Sequence, residues 1–292
     1  MFSFYLLSFS FFGVFVVGYI DLYSFAYAVT VGLAVGHIYN TIWFHRYCSH
    51  SAFKFKKRWY TLVFLYTDPI FFGDDSYAIP HLVHHAKTDQ AGDPYGPHIG
   101  WLASFLGPYI NTCINPNISE KSYAAIRKRF SHINIKTNDY ARFQETGIVE
   151  SLWRFLIRKL IAQVLWISLS YYLGGVPFVF AYFAGVFVVL TIILDFNWRG
   201  HGGNFRFTKK EGWEFDQRTR ALNQRIYGLL GSEWHDNHHH YPTSANNGFL
   251  PTQFDFSFWV IRTMKRLGIV SHYNDSTGAF KLHRSGLLQE AV

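Results

Sequence analysis

The chain has 292 residues, 49% of them hydrophobic and 20% aromatic, with only 16% charged and a formal net charge of +8. Charge that sparse sits well below the roughly 25% of an ordinary soluble domain, so a wholly water-soluble globule is excluded. The positive balance does not indicate nucleic acid, because the basic residues are distributed as a membrane protein distributes them.

Residues 2–20 and 22–44 carry no charge, and residues 160–194 form a third uncharged block interrupted by GGVP at 174–177. A hydrocarbon core about 30 Å thick takes roughly 20 helical residues per crossing. The blocks therefore predict four transmembrane helices, at about 2–20, 22–45, 153–173 and 176–196, turning at Asp21 and at Gly174–Gly175. The expected fold is an all-α integral membrane protein. A single domain is expected, with a helical cap drawn from 46–152 and 197–292. A signal peptide would need a basic leading region, and MFSFYLL has none.

No Lys or Arg precedes Arg46, and none lies between Lys159 and Arg199; Arg154, Arg158 and Lys159 mark the entrance to the third helix. The positive-inside rule puts the cap on the cytoplasmic side. Cys48 and Cys113 fall on that side, where a structural disulfide is not expected. The apolar stretches 60–72 and 99–110 are broken by Asp68, Pro69 and Pro108, and read as interfacial segments seating the cap on the bilayer. Residues 115–139 read as a cap helix with loops.

The histidines cluster. HRYCSH occupies 45–50, HLVHH 81–85, NWRGH 197–201 and HDNHH 235–239, all on the predicted cytoplasmic side. Positions i, i+3 and i+4 share a helix face, so His81, His84 and His85 can point together, as can His235, His238 and His239. Asn197 and His201 stack likewise. His45 and His50, five apart, diverge by about 140° on an α-helix and would straddle a site, which suits two metals better than one. With His201 the three boxes give nine imidazoles, too many for one ion and suited to two. Imidazole binds iron, copper, zinc and nickel alike, so ligand type leaves the metal open. His37, His98, His132, His272 and His283 read as ordinary polar or interface residues.

These boxes resemble those of the integral-membrane fatty acid desaturases, in the acyl-CoA delta-9 desaturase-like branch and its bacterial members. The resemblance runs through TDQAGDPYGPHIGWL (88–102) and the tail 234–270, and covers roughly 30–270. It implies two iron ions held by His45, His50, His81, His84, His85, His201, His235, His238 and His239, with Asn197 acting through a water. His240, Asp89, Asp93 and Asp236 are candidates to support those ligands. The implied reaction reduces dioxygen and removes two hydrogens from an acyl chain held in a narrow apolar tunnel, leaving a cis double bond.

Departures bear on the substrate carrier. Pro80 stands where eukaryotic acyl-CoA members have an acidic residue, Tyr77 where they have Trp, and DPYGPHIGW lacks their Arg-rich insertion. Gly231-Ser232-Glu233 replaces Gly-Glu-Gly before the last box. Acyl-CoA, an acyl carrier protein and a lipid-bound chain all remain open. The haem-binding HPGG signature is absent, so a separate donor such as a ferredoxin or cytochrome is expected to supply electrons. The same site could instead serve hydroxylation, triple-bond formation or decarboxylation to a terminal alkene. A non-enzymatic zinc or haem membrane protein is the reading from another class.

Overall fold

A computed structural model describes residues 2–110, 114–201, 234–251 and 253–285. Cys113 and the Gly231-Ser232-Glu233 departure lie outside them. Helix α1 (Phe2–Gly18) leads through a turn to α2 (Leu22–Ala34). Asp21 makes the turn by accepting a hydrogen bond from the Ser24 backbone N–H, while the Ser24 hydroxyl accepts from the Asp21 N–H, a reciprocal capping box.

The chain then continues as a π-helical segment, Val35–Ser49. Two hydroxyls tie into the carbonyls five residues back: Thr41 donates to Gly36 and Ser49 to Phe44. Every residue of this segment except Ile38 is buried, including Arg46 and the large rings Trp43 and Phe44. It is the axis of the molecule.

A single long helix, α8 (Leu152–Arg199), supplies the other apolar block. It is broken at Gly174 and at Gly175, whose φ of 66° and ψ of −153° belong to glycine. Across the break the chain doubles back. The Tyr182 hydroxyl donates to Gln163 Oε1 at 2.9 Å although 19 residues separate them, a distance of about 28 Å along a straight helix. The second arm lies tightly against α2. A Cβ on Gly185 would sit 2.3 Å from the Ala28 carbonyl oxygen, so the backbones meet with no room for a side chain.

The outer faces of these helices are apolar and exposed: Val17 is 90% exposed, Tyr172 86%, and Leu22 and Tyr23 77%. A surface of that kind needs lipid or a partner against it. Among the described residues, two helices, Leu22–Ser49 and Leu152–Arg199, are long and apolar enough to cross a bilayer.

Between the π segment and α8 lie β1 (Phe53–Phe55), α3 (Trp59–Thr67), α4 (Asp74–Lys87), α5 (Trp101–Ile110), α6 (Glu120–Arg129) and α7 (Tyr140–Thr146). After α8 come α9 (His235–His240), α10 (Phe256–Arg266), β2 (Val270–Tyr273) and α11 (Thr277–Arg284). The all-α expectation needs a small correction, since β1 and β2 pair antiparallel, Phe53 opposite Tyr273. Arg46 clamps the tail to the π segment, its guanidinium reaching both Asp255 oxygens at 2.8 and 2.9 Å. Asp255 also caps α10 by accepting from the Phe258 N–H.

Arg158 and Lys159 were expected only as charges at a helix entrance. Both are buried. Arg158 donates to Asp74 at 2.9 Å and to Glu150 at 2.5 Å, and Lys159 pairs with Asp68. Trp43 Nε1 donates to the other Asp74 oxygen at 2.6 Å, so this ionic knot braces the start of α4 against the π segment.

Candidate metal centre

Helix α4 carries His81, His84 and His85, α9 carries His235, His238 and His239, and His201 follows the end of α8. The nine imidazoles form two groups: His45, His50, His81, His85 and His238 in one, and His84, His201, His235 and His239 in the other. Within each group the ligand atoms all lie within 4.8 Å of one another.

Two features differ from the sequence reading. His45 and His50 do not straddle a site but serve one group, because π-helical hydrogen bonding runs i to i+5 and brings fifth neighbours onto one face. The His50 N–H donates to the His45 carbonyl across that turn at 3.3 Å. Each box of three, moreover, splits. His81 and His85 serve the first group while His84 serves the second; His235 and His239 serve the second while His238 crosses to the first.

The Nε2 atoms run in chains. In the first group the successive separations are His45–His238 2.8 Å, His238–His85 2.9 Å, His85–His81 3.1 Å and His81–His50 2.9 Å. In the second they are His84–His201 3.1 Å, His201–His235 2.8 Å and His235–His239 3.0 Å.

Hydrogen bonding alone does not account for these contacts. His84 Nδ1 lies 2.9 Å from both Asp93 oxygens, and His201 Nδ1 lies 3.2 Å from Asp89 Oδ1. A ring that donates Nδ1–H to a carboxylate presents only a lone pair at Nε2. His84 thus offers only a lone pair to His201, and the single in-plane site of His201 Nε2 faces both His84 and His235, so one of its two contacts is left unbonded, which a cation between the rings would relieve. Burial, then repulsion from neighbouring rings, pushes His50, His81, His235, His238 and His239 well below the ordinary imidazole range. The same causes bring His85 down to about 2. Neutral rings with free lone pairs are what a metal ion requires. Donors ~2.1 Å from an ion and at right angles to one another lie ~3.0 Å apart, against ~3.4 Å for a tetrahedron. The spacing fits ions of more than four ligands.

Supporting groups sit where a metal site needs them. Asp93 holds His84, and Asp89 lies beside His201. Sequence reasoning missed Tyr95, whose hydroxyl lies 2.8 Å from His81 Nδ1 and whose ring stacks on His84. Only its place two residues beyond Asp93 marked it. Asp236 is half-buried in the first turn of α9, and His240 is exposed at its end, against Tyr241. Among the residues read as ordinary, buried His37 meets the Ser257 hydroxyl through Nδ1 at 2.9 Å, and His132 meets the Tyr47 carbonyl.

An apolar cavity opens onto both groups, reaching His45 and His81 on one side and His84, His201 and His235 on the other. The second arm of α8 lines it with Leu190, Ile193, Leu194 and Asn197, one helical stripe. α4 contributes Ser76, Tyr77 and Pro80, and α5 contributes Pro108 and Tyr109. The two substitutions singled out in the sequence, Tyr77 and Pro80, are thus cavity walls.

A family model described as fatty acid desaturase matches residues 23–249. The chain belongs to the fatty acid desaturase family. It is 24% identical over 256 residues to Delta-9 acyl-lipid desaturase 2 of Arabidopsis thaliana, spanning 84% of this chain and 73% of that protein. It is 26% identical over 251 residues to the sn-1 stearoyl-lipid 9-desaturase of Anabaena variabilis, covering 84% and 80%. Icosanoyl-CoA 5-desaturase of Limnanthes douglasii is 25% identical over 258 residues, covering 87% of this chain and 65% of its own length. Desaturases are oxidoreductases, and the paired histidine groups fit a metal site within this one. The apolar helices and the family together indicate membrane association.

Proposed function

We propose that this desaturase holds two iron ions and introduces a cis double bond into a fatty acyl chain. The five-histidine group would bind one ion, and the four-histidine group, with Asn197 through a water, the other. When bound, the irons supply the reductive activation of dioxygen that removes hydrogen from an unactivated methylene. The overall change consumes the acyl –CH2–CH2– unit, dioxygen, two electrons and two protons, and yields –CH=CH– and two waters.

The protein's own residues position and exclude. A methylene has no polar handle, so selectivity rests on the shape of the walls, with Phe44, Tyr77 and Tyr95 near the histidines and Leu190, Ile193 and Tyr109 further along. Asp93 holds His84 in the tautomer that presents Nε2, while Asp89 stands beside His201 Nδ1 and the Tyr95 hydroxyl fixes the orientation of the His81 ring through its Nδ1. The observation that carries the reading is the apolar cavity reaching both groups.

The placement of Lys and Arg and the doubled-back α8 support four spans with the cap on the cytoplasmic side, and the likeness to the Anabaena variabilis protein supports a bacterial inner membrane. α3 and α5, with exposed Trp59, Leu62, Leu102 and Ile110, would lie in the membrane interface. The relatives named for acyl-lipid substrates favour a lipid-bound chain, and Tyr77 and Pro80 depart from the acyl-CoA pattern. A separate protein would donate the electrons.

The test is mass spectrometry on the iron-loaded, reduced protein in bilayers, given phospholipid-bound chains and, separately, acyl-CoA. Loss of two hydrogens is expected. Gain of one oxygen, loss of carbon dioxide, or unchanged chains would overturn the reading.

A further inference from the structure

The walls of the apolar cavity carry two polar side chains with nothing to bind. Asn40, on the π segment, is 7% exposed and lines the cavity; among the described residues its amide has no hydrogen-bond partner. Tyr77, half-buried on α4, lines it too. Its hydroxyl likewise has no partner among the described residues, and its ring stacks on Phe44 with centroids 5.1 Å apart. The Tyr95 hydroxyl, by contrast, meets His81, and the Ser76 hydroxyl reaches Asp75 at 3.4 Å.

The two side chains stand at matching places. Asn40 precedes His45 by five residues, and fifth neighbours share a face of a π-helix. Tyr77 precedes His81 by four, one turn of α4. His45 and His81 belong to the same five-histidine group. The π segment runs from α2 towards the histidines, so Asn40 lies one turn on the α2 side of His45, away from the water-facing end. An acyl chain keeps its polar head in water or at the bilayer surface. The part of the chain that passes Asn40 is therefore the part beyond the oxidised carbons, towards the methyl end.

A buried amide facing plain hydrocarbon is left unpaired, which is unfavourable. A double bond already present in the chain would offer the amide only a weak acceptor. A hydroxyl both accepts from an amide N–H and donates to an amide or phenolic oxygen, so it suits both groups at once.

We propose that Asn40 and Tyr77 form a subsite for a hydroxyl carried by the acyl chain on the methyl side of the oxidised carbon pair. The proposal rests on the fatty acyl desaturase reading. The reacting methylenes still have no polar handle; the hydroxyl supplies one further along and fixes which carbon pair faces the histidines. A site built to hydrogen-bond a hydroxyl discriminates strongly against a chain that lacks it, because the site's own groups are then left unpaired.

The experiment uses the full-length, iron-loaded protein in discs of neutral phosphatidylcholine, without oxygen or reductant, so that nothing turns over. The probes are lysophosphatidylcholines and acyl-CoAs carrying plain stearoyl, or stearoyl hydroxylated at successive carbons of its methyl half. Affinity is read by competition with one fluorescent acyl analogue. We expect the parent to bind the best hydroxylated chain at least about fivefold more tightly than the plain chain on the same carrier. Asn40→Leu, close to Asn in size, should abolish that preference, and Tyr77→Phe should reduce it at least twofold. Iron content should match the parent in both, and the melting temperature of ligand-free Asn40→Leu should equal or exceed the parent's.

A preference below fivefold for every member of the series, or one that either variant leaves intact, would overturn the proposal. So would a lower melting temperature in Asn40→Leu, which would show that the amide already has a partner, such as a resident water. Binding is read without any product. A parent that prefers the hydroxylated chain but, once given reductant and oxygen, removes hydrogen from neither chain supports the subsite and sinks the desaturase reading.

Discussion

Replacing Asp93 by Asn should weaken the ion held by the four-histidine group without touching the other. Both Asp93 oxygens lie 2.9 Å from His84 Nδ1, with the two side chains 0% and 1% exposed. Asp93 also accepts from the backbone N–H groups of Asp89 and Tyr95, at 2.9 and 3.1 Å. Asn keeps the size and one acceptor but loses the charge that makes the imidazole a stronger donor to metal. Losing a partner of this kind typically costs ten- to a hundredfold in metal affinity, which is ~1.4–2.7 kcal/mol.

The assay is anaerobic titration of the metal-free protein with Fe(II), counting ions per chain, with the melting temperature of the metal-free forms as a check on folding. Uptake at the five-histidine group should be unchanged. Burial raises the Asp93 carboxyl, but His84 and the two N–H donors outweigh it and hold it below its ordinary value. Its stabilising share is therefore present above about pH 3.9 and lost as acid protonates the folded form, and the Asn variant should lack that part of the acid transition. Affinity for both ions within threefold of the parent, or equal weakening of both, would refute the reasoning.

His85→Ala and His238→Ala should deplete the same ion and combine non-additively, whereas His85→Ala and His84→Ala should deplete different ions and combine additively, as read by metal counts of the single and double variants. Lys159→Ala, which strands the buried Asp68, should lower unfolding stability by ~3–5 kcal/mol in denaturant titration, and Lys159→Met with Asp68→Asn should recover most of it. Burial, opposed by Arg158 and helped by Asp74 and Asp75, pushes the Glu150 carboxyl up to about 8. The folded state then holds a proton that the unfolded state has released, so stability falls as pH rises from about 4.3 towards that value. Glu150→Gln should remove this slope, and its melting temperature relative to the parent should rise between pH 6 and pH 8.

The turns at Asp21 and Gly174–Gly175 were legible because a capping acid and a glycine pair interrupt uncharged runs. The members of the two histidine groups were legible because imidazoles four apart share a helical face whatever the surrounding fold. The pairing of His45 with His50 was not, since nothing in the local sequence announces the change from i+4 to i+5 bonding. Nor could spacing show which member of each box goes to which group, because HLVHH and HDNHH look alike until α4 and α9 are brought face to face. Asp74 and Asp75 look like ordinary acids in a first helical turn, and only the approach of Arg158 from 84 residues away makes one half of an ionic knot. Tyr95 was one tyrosine among 19.

The crossing of the two boxes has a further consequence. α4 and α9 each contribute to both groups, so any slide or roll of either helix would shift the donors of the two groups together. Independent adjustment is left to the remaining donors, His45 and His50 on the π segment for one group and His201 beyond α8 for the other. A change in the wide-turned segment would thus alter the surroundings of one group alone, and a change at the end of α8 the other's, while the shared helices keep the two in step.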